Sequence, residues 1–109
     1  MTFRSYQEQA AKTAIYPNRG LNLSYPTLGL CGESGEVANK VKKVQRDHGG
    51  QITLDMKLAL AKELGDVLWY VSATCDELGL NLEDVAEQNI KKLAARSNQN
   101  AITGSGDNR

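Results

Sequence analysis

Two short acidic motifs carry the chemistry of this sequence: Glu33-Ser-Gly-Glu36 and Glu63-Leu-Gly-Asp66. In each, two carboxylates stand three residues apart, a spacing that puts both on one face of a helix. If the two helices pack together, four carboxylates enter one cleft, where like charges repel and raise one another's pKa values unless a cation neutralises them. An all-oxygen donor set selects a hard cation, Mg²⁺ first and Mn²⁺ second. No histidine follows either motif at Glu-x-x-His spacing, so the carboxylate-histidine pattern of di-iron bundles is absent.

A single ExxE or ExxD motif is more often a solvated helix face than a metal site. The glycines argue otherwise. Gly32, Gly35 and Gly65 fall inside or at the start of expected helices, where an interior glycine costs about 1 kcal/mol relative to alanine. Close helix approach, or room for a ligand beside the carboxylates, would offset that cost.

Basic and aromatic side chains supply the rest of a candidate nucleotide site. Lys40 and Lys43 continue the Glu33 and Glu36 face at successive helical turns. Farther on, Asn89, Lys92 and Arg96 share a helix face. Trp69 and Tyr70 directly follow the second acidic motif, and either ring could stack on a nucleobase.

Helices must position these groups, since strict strand-length alternation is hard to find. Thr2 is the expected N-cap of a first helix running through Phe3, Tyr6 and Ala10 to Thr13 or Ala14, before Pro17. Residues Tyr16 to Pro26 read as a loop. A second helix is predicted from near Thr27 to about Asp47, with Leu30, Val37, Val41 and Val44 in one sector and a stop at His48-Gly49-Gly50. Thr53 or Asp55 caps a third, whose apolar face of Leu60, Leu64, Val67, Leu68, Val71, Cys75 and Leu78 ends at Gly79. A fourth runs from Leu82 or Glu83 to Arg96 on Val85, Ala86, Ile90 and Leu93. Residues 97–109 are too polar and Gly-rich to build a core. The expectation is an all-α, four-helix bundle-like catalytic domain over residues 1–96, with a polar tail and apolar surface left for a second copy.

Composition narrows the function classes. Thirteen basic and thirteen acidic residues cancel, so nothing favours a nucleic-acid duplex or an anionic membrane as partner. No apolar run approaches the roughly 20 residues that span a bilayer, and the N-terminus lacks a signal-peptide core. A cytoplasmic protein with free thiols at Cys31 and Cys75 is expected.

Three strings, Gly29-Leu-Cys-Gly-Glu-Ser-Gly-Glu-Val, Lys62-Glu-Leu-Gly-Asp-Val-Leu-Trp-Tyr-Val and Asn89-Ile-Lys-Lys-Leu-Ala-Ala-Arg, resemble the MazG-like nucleoside triphosphate pyrophosphohydrolases in order and spacing. The likeness spans roughly residues 6–96. It implies an all-α homodimer or homotetramer with Glu33, Glu36, Glu63 and Asp66 as magnesium ligands. It also implies hydrolysis of a nucleoside triphosphate, often a deoxynucleotide, between its α and β phosphates. Carried over residue by residue, Asn89, Lys92, Arg96 and Lys43 would contact phosphates, and Glu33 or Glu36 would orient or deprotonate the attacking water. Lys43, Lys92 and Arg96 would then stabilise charge on the leaving pyrophosphate. The ending Gly104-Ser-Gly-Asp-Asn-Arg also resembles one branch of the family, which implies that Asp107 and Arg109 fold over the site, of the same chain or a neighbour. Two other readings compete: a phosphoribosyl-ATP type diphosphohydrolase on the same scaffold, and a non-enzymatic helical oligomerisation module.

Overall fold

In a computed structural model the described residues, 1–98, form four helices and no strand. They are α1 (Phe3–Ala11), α2 (Ser24–His48), α3 (Leu54–Glu77) and α4 (Leu82–Asn98). The all-α expectation holds. Residues 99–109, including Asp107 and Arg109, lie outside the described residues, and α4 continues through Asn98, past the expected end at Arg96.

The caps follow local chemistry. Thr2 and Ser5 form a reciprocal capping box at the start of α1, and Thr53 Oγ1 accepts from Met56 N at 3.2 Å at the start of α3. Gly49, at φ 61°, closes α2 in the left-handed conformation that an L side chain rarely adopts.

Two further boundaries differ from expectation, both around the α1–α2 connection. Helix α1 ends at Ala11, not at Thr13 or Ala14, because Ala14 and Tyr16 are buried with Ala73 in the main apolar cluster and the chain must leave the helix to put them there. Helix α2 begins at Ser24, so Pro26 lies within its first turn and not in the loop. Proline is tolerated there because its missing N–H has no intrahelical partner to lose. Asn22 Oδ1 accepts from Tyr25 N at 3.2 Å and serves as the local cap.

Helices α2 and α3 form an antiparallel hairpin, since Gly29 meets Tyr70 near one end while Val44 shares a groove with Met56 and Leu60 near the other. Helix α1 packs on α3 and, less extensively, on α4. Among the described residues, the helices of one chain therefore do not close into a bundle. Its radius of gyration is 16.6 Å, against about 13 Å for a compact chain of this length. Leu28, Leu54, Leu58, Leu64 and Ile90 are each more than half exposed. No helix of the described residues is long and apolar enough to cross a membrane.

Candidate metal and nucleotide site

The antiparallel hairpin sets the register of the acidic motifs. With Gly29 opposite Tyr70, one helical turn onward along α2 brings Glu33 level with the turn of α3 that holds Glu63 and Asp66. Their carboxylate oxygens converge: Glu33, Glu63 and Asp66 each offer one within 4.8 Å of the others. Oxygens held about 2.1 Å from one octahedral Mg²⁺ stand roughly 3–4.2 Å apart, so small side-chain adjustments suffice for a cation to be held between them. Glu33 and Glu63 are half-buried, whereas Asp66 is exposed.

Electrostatics records the crowding. The Glu33 carboxyl is pushed above the ordinary glutamate value, first by a hydrogen bond shared with Glu63, then by loss of water and by the charges of Asp66, Glu63 and Glu36. A proton is a poor substitute for a divalent ion here, because it neutralises one carboxylate and leaves the others facing each other. Lys40 offers partial relief, its Nζ lying 3.8 Å from Glu63 Oε1. Glu36 is exposed and stands outside the trio, although its charge reaches Glu33.

Space beside the acids is the second feature. A Cβ added at Gly32, Gly35 or Gly65 would meet nothing within 4 Å. Helix approach inside the chain therefore does not account for these glycines. Gly29 is the opposite case, since a Cβ there would overlap the Tyr70 ring. Gly29 lets α2 and α3 draw together, and the other glycines leave the acid face open.

The aromatic residues divide. Trp69 packs against the Ala14, Tyr16 and Ala73 cluster and donates Nε1–H to Thr13 Oγ1 at 2.8 Å, so its ring is engaged in holding the chain after α1. Tyr70, meeting Trp69 edge-on at 5.0 Å, faces the acids. Burial raises its phenol, with smaller contributions from Tyr25, Glu33 and Asp66. Sequence reasoning missed Tyr6, whose phenol is raised by burial and then by the charge of Asp66. Its place on the expected apolar stripe of α1 gave no sign of this, because only tertiary packing sets α1 beside α3.

The remaining basic residues do not join the trio within one chain. Lys43 lines a groove of about 200 Å³ with Val44, His48 and Leu60, toward the far end of the hairpin. Asn89 and Lys92 line a groove of about 570 Å³ with the α3–α4 turn, Asp84 and Gln88, and none of Glu33, Glu36, Glu63 and Asp66 forms part of its wall. Arg96 is half-buried on the last turns of α4.

The profile of the MazG nucleotide pyrophosphohydrolase domain matches residues 24–101, covering both acidic helices and α4. The chain belongs to that family. The Gene 37 protein of Mycobacterium phage L5 is 49% identical over 109 residues, spanning 95% of this chain and 96% of that protein. No solved structure matches. Family membership and the acid trio fall on the same residues of α2 and α3.

Proposed function

We propose that this MazG-family chain is a Mg²⁺-dependent pyrophosphohydrolase that cleaves a nucleoside triphosphate to the monophosphate and pyrophosphate. The observation that carries the reading is the convergence of Glu33, Glu63 and Asp66 oxygens within 4.8 Å on the two helices that the family match covers. A hard divalent cation bound there would supply charge neutralisation for the phosphates and acidify a bound water. Mn²⁺ would substitute for Mg²⁺, since both take oxygen donors.

The chain's own residues do the rest. Glu33, Glu63 and Asp66 hold the cation, while Glu36, exposed and one turn away, orients the water for attack at the α-phosphorus or accepts its proton. Lys40, beside Glu63, meets charge on the phosphates, and Lys43, Lys92 and Arg96 stabilise the departing pyrophosphate. Tyr70 flanks the nucleoside, with Asn89 on the phosphates. Trp69, whose N–H is bonded to Thr13 and whose ring packs against the core cluster, is the more constrained of the two rings that could stack on the base.

Exposed Leu28, Leu54, Leu58, Leu64 and Ile90 support a homodimer or homotetramer, in which a second copy covers them. We place the protein in the cytoplasm, where Cys31 and Cys75 stay reduced. The test is a panel of canonical and modified nucleoside triphosphates with Mg²⁺, scoring monophosphate, pyrophosphate and inorganic phosphate separately. Monophosphate and pyrophosphate in equal amounts are expected. Release of inorganic phosphate alone would overturn attack at the α-phosphorus.

A further inference from the structure

A column of aromatic rings rises from the C-terminal end of α3 beside the start of α2. At its foot Tyr16, 8% exposed, donates its hydroxyl to Glu77 Oε1 at 2.7 Å. Tyr25 lies flat on Tyr16, with ring centroids 4.7 Å apart and planes 8° from parallel. Its backbone is held as well, since Tyr25 N donates to Asn22 Oδ1 at 3.2 Å and Asn22 Nδ2 donates to the Pro17 carbonyl at 2.8 Å. Although Tyr16 covers one face of the ring, Tyr25 remains 43% exposed, so what it offers to solvent is the opposite face and the rim.

The position of Tyr25 on α2 relates that face to the acids. Tyr25, Gly29 and Glu33 recur at four-residue spacing, which stacks them one above another along a helix. Gly29 is where the Tyr70 ring meets α2, and Glu33 belongs to the acid trio. Eight residues at 1.5 Å each put Tyr25 about 12 Å from Glu33 along the axis, with Tyr70 between them. Lys40 lies to the other side of the acids, its Nζ 3.8 Å from Glu63 Oε1, and Lys43 follows it on α2. The hairpin is thus graded, with cations at one end of the trio and aromatic rings at the other. A nucleoside triphosphate has the same polarity, charged phosphates at one end and a flat π-face at the other.

We propose that the nucleobase of the substrate stacks on the open face of Tyr25, extending the Tyr16–Tyr25 column by one ring. The nucleotide then lies along the hairpin, with Tyr70 beside the sugar and the β and γ phosphates toward Lys40 and Lys43. The proposal rests on the pyrophosphohydrolase reading above and deepens it, giving the substrate a direction and its base a platform. Every base has a π-face, so such a platform adds affinity without choosing among bases. Because Tyr16, Glu77 and Asn22 fix the ring before substrate arrives, little ordering cost is left to the binding step.

A substrate without a base isolates the contact. The measurement is kcat/KM for nucleoside triphosphates of four bases and for ribose 5-triphosphate. It is made in wild type, in Tyr25→Leu, which keeps apolar cover over Tyr16, and in Tyr25→Phe, which keeps the π-face. In Tyr25→Leu the preference for each nucleoside triphosphate over ribose 5-triphosphate is expected to fall on the order of 5- to 150-fold, through KM. Tyr25→Phe is expected to restore it. A preference unchanged in Tyr25→Leu, or an equal loss on both kinds of substrate, as from a purely structural or subunit-contact role, overturns the proposal.

A second readout needs no turnover. Base protons of an α,β-methylene nucleoside triphosphate, titrated with the protein and Mg²⁺, should move upfield under the tyrosine ring current, and the movement should vanish in Tyr25→Leu. Movement that persists in Tyr25→Leu, or none in wild type, overturns the platform. If wild-type protein releases no pyrophosphate while the upfield movement depends on Tyr25, the reaction fails and the base platform stands.

Discussion

The middle and the C-terminal end of α3 solve opposite problems. Toward its C-terminus polar groups are satisfied within the chain. Glu77 accepts from Tyr16 OH at 2.7 Å, Gly20 N at 2.9 Å and Asn22 N at 3.4 Å, and Gln7 donates to Asp76 at 2.8 Å and to the Leu80 carbonyl at 3.0 Å. The Glu77 carboxyl is accordingly held below its usual value, first by the tyrosine hydrogen bond, and Tyr16 is pushed up to about 12, first by burial. About three to four helical turns earlier, Glu63 and Asp66 sit with Glu33 in a crowd of like charge, and the Glu33 shift runs the other way. The same residue type is a satisfied structural clamp at the C-terminal end and a crowded cluster in the middle. Polar satisfaction inside the chain marks scaffold, and the contrasting crowd at the converged cluster is what the proposed cation site rests on.

The strongest way to break this contrast is to remove one polar partner from each of the two regions. Glu63→Gln should leave the helical content intact yet lower Mg²⁺-dependent pyrophosphate release on the order of 100-fold or more, because direct ligands matter at least as much as the groups that orient them. Circular dichroism alongside turnover checks both halves, and unchanged turnover would remove the site.

At the C-terminal clamp, Tyr16→Phe should cost about 1.5–3 kcal/mol in denaturant unfolding, the scale of a hydrogen bond to a charged group. Acid should act on the same clamp. Because the folded pKa of Glu77 lies below the ordinary value of 4.5, its contribution to stability is complete above pH 4.5 and is lost as pH falls through the lower folded value. Glu33 has the opposite sign: its raised pKa means that ionising it weakens the metal-free fold as pH rises through that value. Glu33→Gln should therefore raise the melting temperature in chelator while abolishing the stabilisation that added Mg²⁺ brings, and a fall in chelator would contradict the crowding.

The smallest effects come from the glycines and sharpen the contrast most. Gly35→Ala and Gly65→Ala point into open space in the chain, so each should stabilise its helix by about 0.5–1 kcal/mol. Activity or oligomerisation should drop at the same time, if a ligand or second copy occupies that space. Gly29→Ala should instead destabilise, since the new Cβ would displace the Tyr70 ring. Comparing the three by thermal melts and gel filtration separates intrachain packing from intermolecular space.

The sequence by itself determined the four helices, the caps at Thr2 and Thr53, the stop at Gly49 and the matched acid pairs, because each depends on residues within a turn or two of one another. The early end of α1 has a nonlocal reason: Ala14 and Tyr16 are held by Ala73 and Glu77, partners some 60 residues away. Tertiary structure alone decided that Glu33 meets Glu63 and Asp66 while Glu36 stands aside, that Trp69 turns to Thr13, and that Tyr6 comes beside Asp66. Helical periodicity fixes which side chains share a face. Which faces meet depends on the register of the α2–α3 hairpin, which Gly29 and Tyr70 set through contact across the chain.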